Sequence, residues 1–300
     1  MINAKMVANK IMCNKRYIAK RTSSYIAGIY ATLGFISTFS SLSKIWPTSW
    51  TPVGHIGASI GVMLLLWLIV FFFVGIHYAR KRRYDVVSCN SGHKVYVQYG
   101  DLFSADEVID PSKRRNIVIP VNRCFDTVVD NALISENTLH GIALNKIYSS
   151  GKYNEDSLNK EIQRTLTSVE SEMYIVDDKP YGNKKRYPVG TVVDLPVSDK
   201  EHYFLLALST FDAQLNAHTS MTDYVTAIQK LVESCNLKSG GFPVVLPLIG
   251  TDLSRLGKDQ RDILAYLIRT LQLNRSVINC DMHIIVDNDI KDELAIMNAP

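Results

Sequence analysis

Three hundred residues, 47% of them hydrophobic, allow a sizeable buried core with chain to spare. The formal charge of +4 hides an asymmetry: residues 1–84 hold eleven Lys and Arg and no Asp or Glu, leaving 22 basic against 29 acidic side chains in the rest. A basic excess confined to the flanks of apolar segments belongs to a membrane and argues against nucleic acid as a partner. Cys13, Cys89, Cys124, Cys235 and Cys280 are scattered, with no C-x-x-C pair and no histidine cluster at zinc spacing, so reduced thiols and no metal are expected.

The N-terminal part reads as an anchor. Thr22 to Ser43 carries no charge, and neither does Ile45 to Ala79, whose core "GVMLLLWLIVFFFVGIHYA" ends on Arg80, Lys81, Arg82 and Arg83. About 21 apolar residues at roughly 1.5 Å rise cross a roughly 30 Å hydrocarbon layer. Two transmembrane helices are expected, at about 24–45 and 55–78, joined by "KIWPTSWTP", where Pro47 and Pro52 turn the chain and Trp46 and Trp50 suit the interface. A signal peptide is the competing reading of the first span, but its apolar region is too long and no small-residue cleavage site follows. Lys15, Arg16, Lys20 and Arg21 flank one end of the hairpin and Arg80 to Arg83 the other, whereas the loop holds only Lys44, so both termini are expected in the cytoplasm of a multi-pass membrane protein. Gly57-x-x-x-Gly61 and Ala27-x-x-x-Ala31 place small residues on one helix face, suited to packing within the hairpin or between copies.

Residues 85–300 are expected to form a separate α/β domain. "HKVYVQYGDLF" alternates as a strand does, and "NIVIPVN" is a continuous apolar run fit for a doubly covered strand. "NTLHGIALNKIY" and "SLNKEIQRTLTSVES" have helical spacing. Then follow strands in "YPVGTVVDLPV" and "HYFLLALST", a helix in "MTDYVTAIQKLVESCNL", a strand in "FPVVLPLIG", a helix in "KDQRDILAYLIRTLQL" and a last strand in "MHIIVD". The alternation predicts a three-layer α/β sandwich on a mixed sheet.

Ligands of such sheets collect in loops beyond the strand ends, and three loops are candidates. Asp101 sits where a strand breaks in "YGDLF"; its carboxylate can accept hydrogen bonds from an exocyclic amine, or cap a turn. The buried strand ends on Asn122, followed by Arg123, Phe125, Asp126 and Thr127, a set that suits a ribose or base but equally an ordinary strand-end loop. The third loop, "GTDLSRLGKDQ", lies between an apolar strand and a helix, so amides around Gly250 and Thr251 can face an anion or simply turn the chain. It is not a Walker A loop, because Asp252 and Asp259 occupy the positions that motif gives to Gly and to Ser or Thr.

Together these loops resemble a macro domain over roughly Asp85 to Asp287: a Gly-Asp-Leu step, a buried strand ending Val-Asn, then "PLIGT" leading to a long helix and one final strand. The resemblance implies that Asp101, with Leu102 beside it, contacts adenine, that Asn122 lies near the distal ribose with Phe125, Asp126 and Thr127 close by, and that Gly250, Thr251, Asp252, Leu253, Ser254 and Arg255 cradle the diphosphate. The chain departs from the pattern in lacking the glycine-rich first phosphate loop on which hydrolytic relatives depend; "RCFDTVVDNALISENTLHG" stands there instead. That version, preceded by two apolar spans, is most similar to the membrane-anchored macro-domain effectors of bacterial Thoeris antiphage defence, of the two-span ThsA type.

The resemblance implies a binding module and not an enzyme: a sensor of an ADP-ribose-derived nucleotide made by a Toll/interleukin-receptor (TIR) domain enzyme, which then self-assembles and disrupts the bacterial membrane. Independently, no G-x-S-x-G or H-E-x-x-H is present, Cys124 has no identifiable base partner, and His140 and His283 read as structural or surface residues, not bases. The alternatives are an anchored ADP-ribosyl hydrolase using Asn122 or Asp126 to orient water, and a macro-like module that binds a protein.

Overall fold

The structure is a computed structural model and describes residues 7–8, 11–12, 14–37, 51–173, 179–249, 259–288, 294 and 296. The chain divides into two compact units, Met1–Arg82 with Asp292–Asn298 and Arg83–Lys291 with Ala299–Pro300. In the first, helix α1 (Lys15–Ser37) packs on helix α2 (Pro52–Arg80). Thr51 caps α2 by accepting from the Gly54 amide at 3.2 Å, and Pro52 takes the first helical position, where its missing N–H costs nothing. Trp67 donates to the Ser23 hydroxyl at 3.2 Å, and the Tyr17 and Tyr78 rings meet edge to face at 5.3 Å. Among the described residues one helix, Val53–Arg80, is long and apolar enough to cross a membrane by length and composition. Residues 38–50, which hold the end of the expected first span and the expected loop, lie outside the described residues.

The second unit opens with β1 (Arg83–Ser88) and β2 (Lys94–Gly100), a short 3₁₀ turn (Ala105–Glu107) and β3 (Arg115–Asn122). Helices α3 (Leu139–Ser149) and α4 (Glu155–Thr165) follow, then the two-residue strands β4 (Glu172–Met173) and β5 (Lys185–Arg186). Strands β6 (Val192–Pro196), β7 (Glu201–Phe211) and β8 (Ala217–His218) come next. The unit closes with α5 (Met221–Lys238), β9 (Val244–Pro247), α6 (Gln260–Leu273) and β10 (Met282–Asp287).

Among the described residues the main sheet runs β1-β2-β10-β9-β3-β7-β6, with β8 paired to the end of β7. Strands β2, β10, β9, β3 and β7 are mutually parallel, while β1 and β6 run antiparallel at the edges, so the sheet is mixed as the sequence pattern requires. The continuous apolar run of β3 is buried on both faces: Ile117 and Ile119 pack with Leu144, Ile147, Leu158 and Ile162 of α3 and α4, and Val118, one residue out of phase, points the other way. On that opposite side α5 lies against β7 and β6 and buries Tyr224, Ala227, Ile228 and Leu231. Three layers result, and each fully buried aliphatic side chain contributes roughly 1.5–3 kcal/mol.

Two details depart from the pattern reading. Helix α4 begins two residues before Ser157, because Asn154 and Ser157 exchange backbone hydrogen bonds as a reciprocal cap, and it ends at Thr165. Strand β1 begins at Arg83, inside the basic run: Arg83 pairs with Gln98, and its guanidinium donates to the Gln98 side chain and to the carbonyls of Asp106 and Val108.

Candidate functional site

Five parallel strands bring Gly100, Asn122, Phe211, Pro247 and Asp287 to one edge of the sheet. The strands stop there while their connections diverge to either face, so a crevice opens where nothing continues the sheet. It measures ≈ 900 Å³, room for a dinucleotide-sized ligand, and Asp101, Leu102, Asn122, Thr138, Lys146 and Phe211 are among the residues lining it.

Asn122 is placed by the backbone that follows it. The β3–β7 register slips between Val121 and Asn122, so Asn122 stands opposite Ser209. The chain then turns back: the Phe125 amide donates to the Asn122 carbonyl at 3.0 Å, and Phe125 itself adopts a left-handed φ of 51°. That fold-back aims the amides of Cys124 and Asp126 at Asn122 Oδ1, at 3.0 and 3.4 Å. With the oxygen so held, the side-chain amide has one orientation, and its Nδ2 group is buried with no partner among the described residues. An unmet buried donor costs about 1–3 kcal/mol, and the residue that carries it lines the cleft.

Asp101 occupies the other wall. Its Oδ1 accepts from the Phe103 amide at 2.9 Å, so the carboxylate does cap a turn, yet the residue is exposed and faces the cleft. Beneath it Leu102 is buried and supplies apolar floor. Lys146 of α3 is a cation on the rim, 5.0 Å above the Phe103 ring. His140, in the first turn of α3, also lines the cleft; burial drives its pKa down to about 3, and a hydrogen bond to the Asp126 backbone offsets this only in part. It is therefore a neutral imidazole.

Phe125, Asp126 and Thr127 are not brought to the cleft. Phe125 is buried against Tyr187, ring centroids 5.8 Å apart. Asp126 accepts from Lys179 Nζ at 2.6 Å and from the Asn183 amide at 2.7 Å, with both charged side chains at most 1% exposed. Desolvation raises the Asp126 pKa, and Lys179 pulls it back. Thr127 is buried, and its carbonyl accepts from the Tyr148 hydroxyl at 2.5 Å. The Cys124 thiol, next to this pair, is pushed up to about 11 by burial and stays protonated. Gly250, Thr251, Asp252, Leu253, Ser254 and Arg255 lie outside the described residues; Ile249 and Gln260, on either side of them, both line the cleft.

Sequence reasoning missed Thr138, Lys146, Phe211 and Asp287 as cleft residues. The cap signal of Thr138, whose hydroxyl accepts from the Gly141 amide at 3.0 Å, marks where α3 starts. No local signal tells that this helix end abuts the sheet edge.

A mixed sheet with helices on both faces and a crevice at the carboxyl edge of its parallel strands defines a macro-domain-like α/β fold. The chain belongs to the family described as Thoeris protein ThsA, Macro domain, whose model matches residues 95–287. It is 28% identical over 167 residues to the Thoeris protein ThsA of Bacillus amyloliquefaciens (strain Y2), covering 55% of this chain and 51% of that protein, so the chain spans about half the length of this relative. Solved structures of the Oceanobacillus iheyensis macrodomain are more distant. A mutant form with ADPR is 13% identical, with 70% of this chain and 91% of that chain covered at a TM-score of 0.41. The form with MES bound is 10% identical, with 70% and 89% covered at 0.40. At that level the likeness carries nothing about the site.

Proposed function

We propose that the cleft is a receptor site for an ADP-ribose-derived nucleotide and that the chain is a membrane-anchored effector of Thoeris antiphage defence. The observation that carries this reading is the orphaned Asn122 Nδ2, fixed by two backbone amides in the wall of a cleft whose other wall presents Asp101. Asn122 donates to a ribose hydroxyl, and Asp101 accepts from the exocyclic amine of adenine. The diphosphate then falls to the segment Gly250 to Arg255.

Binding, and not turnover, is the reading the side chains favour. Asp126 is held by Lys179 and cannot orient water, His140 is a poor base with its pKa near 3, and the Cys124 thiol stays protonated. The membrane reading is supported by α2: Leu64, Phe72 and Phe73 are 61%, 59% and 71% exposed, whereas the core helix of a soluble protein buries most of its apolar side chains. Residues 1–84 then form a two-span hairpin with both termini in the cytoplasm, and residues 85–300 the sensor. A TIR-domain enzyme supplies the signal, and the occupied sensor drives assembly of copies and disruption of the bilayer.

The test is calorimetry on the full chain in detergent micelles with ADP-ribose. Binding by the wild type is expected, with roughly a tenfold or greater loss in Asn122→Ala, the equivalent of one buried hydrogen bond. Failure of ADP-ribose and its derivatives to bind, or unchanged affinity in a folded Asn122→Ala chain, removes the site. Appearance of free product from an ADP-ribosylated protein would replace the sensor by a hydrolase.

A further inference from the structure

Beneath the Asp101 turn lies a buried carboxylate that does not line the cleft. Glu107 is 3% exposed, and its side chain reaches back under the end of β2. One oxygen, Oε1, accepts from the Asp101 amide at 3.4 Å; the other, Oε2, is in short contact with Gln98 Nε2. Gln98, fully buried, also donates to the Glu107 carbonyl at 3.0 Å, while its own oxygen faces Arg83 Nε at 3.1 Å and His283 Nδ1 at 3.2 Å. Arg83 closes the arrangement by donating to the carbonyls of Asp106 and Val108, both at 2.6 Å, on either side of Glu107. The Glu107 carboxylate occupies the space a Cβ at Gly100 would take, so any larger residue at the strand end would displace it.

Every donor and acceptor of Gln98 is thus engaged, and the network has one geometry. Glu107 holds the backbone of Asp101 from below while the Phe103 amide holds its side chain from the front. We propose that Glu107, braced by Gln98 and Arg83, is a positioning residue that sets the Asp101 carboxylate for selection of the purine base. This rests on Asp101 being the base-reading residue of the proposed site. A carboxylate separates an amino from a keto purine only while its oxygen stays at hydrogen-bond distance from the amine, so tilting the turn flattens the preference.

Glu107→Gln is the informative change, since it keeps the shape but must set an NH₂ group against either the Asp101 amide or the Gln98 amide, both donors. The full chain in detergent micelles is titrated with ADP-ribose and with inosine diphosphate ribose, which differ in the amino or keto group at C6 of the base and in the proton the keto form carries on N1. The wild type is expected to prefer the adenine form by roughly tenfold or more, as a hydrogen bond to a charged acceptor implies. Glu107→Gln should collapse that ratio toward unity while affinity for the inosine form stays within about twofold, an outcome that loss of fold cannot mimic. Arg83→Lys, which keeps the charge but loses the fork, should lower the ratio in part, and it serves if Glu107→Gln does not fold. An unchanged ratio in a folded Glu107→Gln chain, or in Arg83→Lys where that is the folded variant, overturns the proposal. Asp101→Asn separates the two levels: if it too leaves the ratio unchanged, Asp101 is not the base reader and the site reading itself fails, whereas a ratio lost in Asp101→Asn alone rejects only the role of Glu107.

Discussion

The turn after β2 shows its aspartate to the cleft and is braced from beneath by Glu107; the turn after β3 does the reverse and buries its aspartate against Lys179. Asp101 and Asp126 are chemically the same group a few residues past a strand end. What separates them is the partner that arrives from a distant part of the chain: a lysine more than fifty residues on claims Asp126, whereas the acid that supports the Asp101 turn binds its backbone and leaves the carboxylate facing outward. A strand-end carboxylate is therefore left open to the cleft only when no buried cation reaches it first. In this cleft the burial of Asp126 is itself useful, since the turn it locks is the one whose amides orient Asn122.

The largest effect should come from breaking that lock. Lys179→Met leaves Asp126 as an uncompensated buried charge, and removing one member of such a pair costs about 3–5 kcal/mol. Thermal unfolding of the full chain in micelles, followed by circular dichroism, should show a drop of many degrees for Lys179→Met. Asp101→Asn should stay within about 0.5 kcal/mol of the wild type, since the amide oxygen can still accept from Phe103. Similar stabilities for the two variants would mean that the contrast between the turns is not energetic.

The next effect sharpens the comparison through pH, because each turn rests on a buried neutral histidine. His283 contacts Gln98 beneath the first turn, and its pKa is lowered to about 4 by desolvation, with the Arg83 charge adding to it. His140 bonds the Asp126 backbone beneath the second and lies at about 3. Both folded values are depressed below the ordinary value of roughly 6.5, so the unfolded chain takes up protons first. The stability held by neutral imidazoles is thus complete above about pH 6.5 and lost as pH falls toward 4 and below, at roughly 1.4 kcal/mol per pH unit for each histidine. His283→Asn should remove about half of the histidine contribution to that slope between pH 6 and 4 and leave the unfolding midpoint at pH 8 comparatively little changed. An unaltered slope would show that His283 accepts a proton in the fold.

Much of this architecture was legible in the chain, and the exceptions share a cause. The runs of β3, β7 and β9 and the spacing of α3, α5 and α6 announce themselves because burial on two faces or one leaves a period in the sequence. Strand β1 did not, since Arg83 begins it from within a run of basic residues whose charge points to a membrane flank. At the cleft, Asp101, Leu102 and Asn122 are legible because strand ends are visible; Phe125, Asp126 and Thr127, which lie away from it, are not told apart, because polar and aromatic residues after a strand look alike whether they face a crevice or a buried lysine. Glu107 was missed for the same reason: nothing local marks a surface-type acid that a 3₁₀ turn folds inward.

The smallest effect on stability concerns the apolar unit, where glycines divide as the two aspartates do. A Cβ at Gly75 would meet Ile11 at 3.2 Å, so that glycine serves packing inside the unit. At Gly57 and Gly61 an added Cβ would meet nothing within 4 Å among the described residues, so this small-residue face of α2 is open there. Replacing both by Leu removes two poor helix formers at positions open at Cβ, so folding is expected to stay neutral or improve slightly, by less than about 1 kcal/mol at each position. Affinity for ADP-ribose, set in the other unit, should not move. If copies meet through this face, the bulky side chains hold their backbones apart, and nucleotide-dependent assembly of the full chain, followed by cross-linking in lipid vesicles, should disappear while binding persists. Gly75→Leu is the counterpart, expected to damage the packing of the helix pair itself. Should the Gly57→Leu, Gly61→Leu chain still cross-link on addition of nucleotide, the open face is only lipid-facing surface, and the contact between copies has to be sought in the α/β unit.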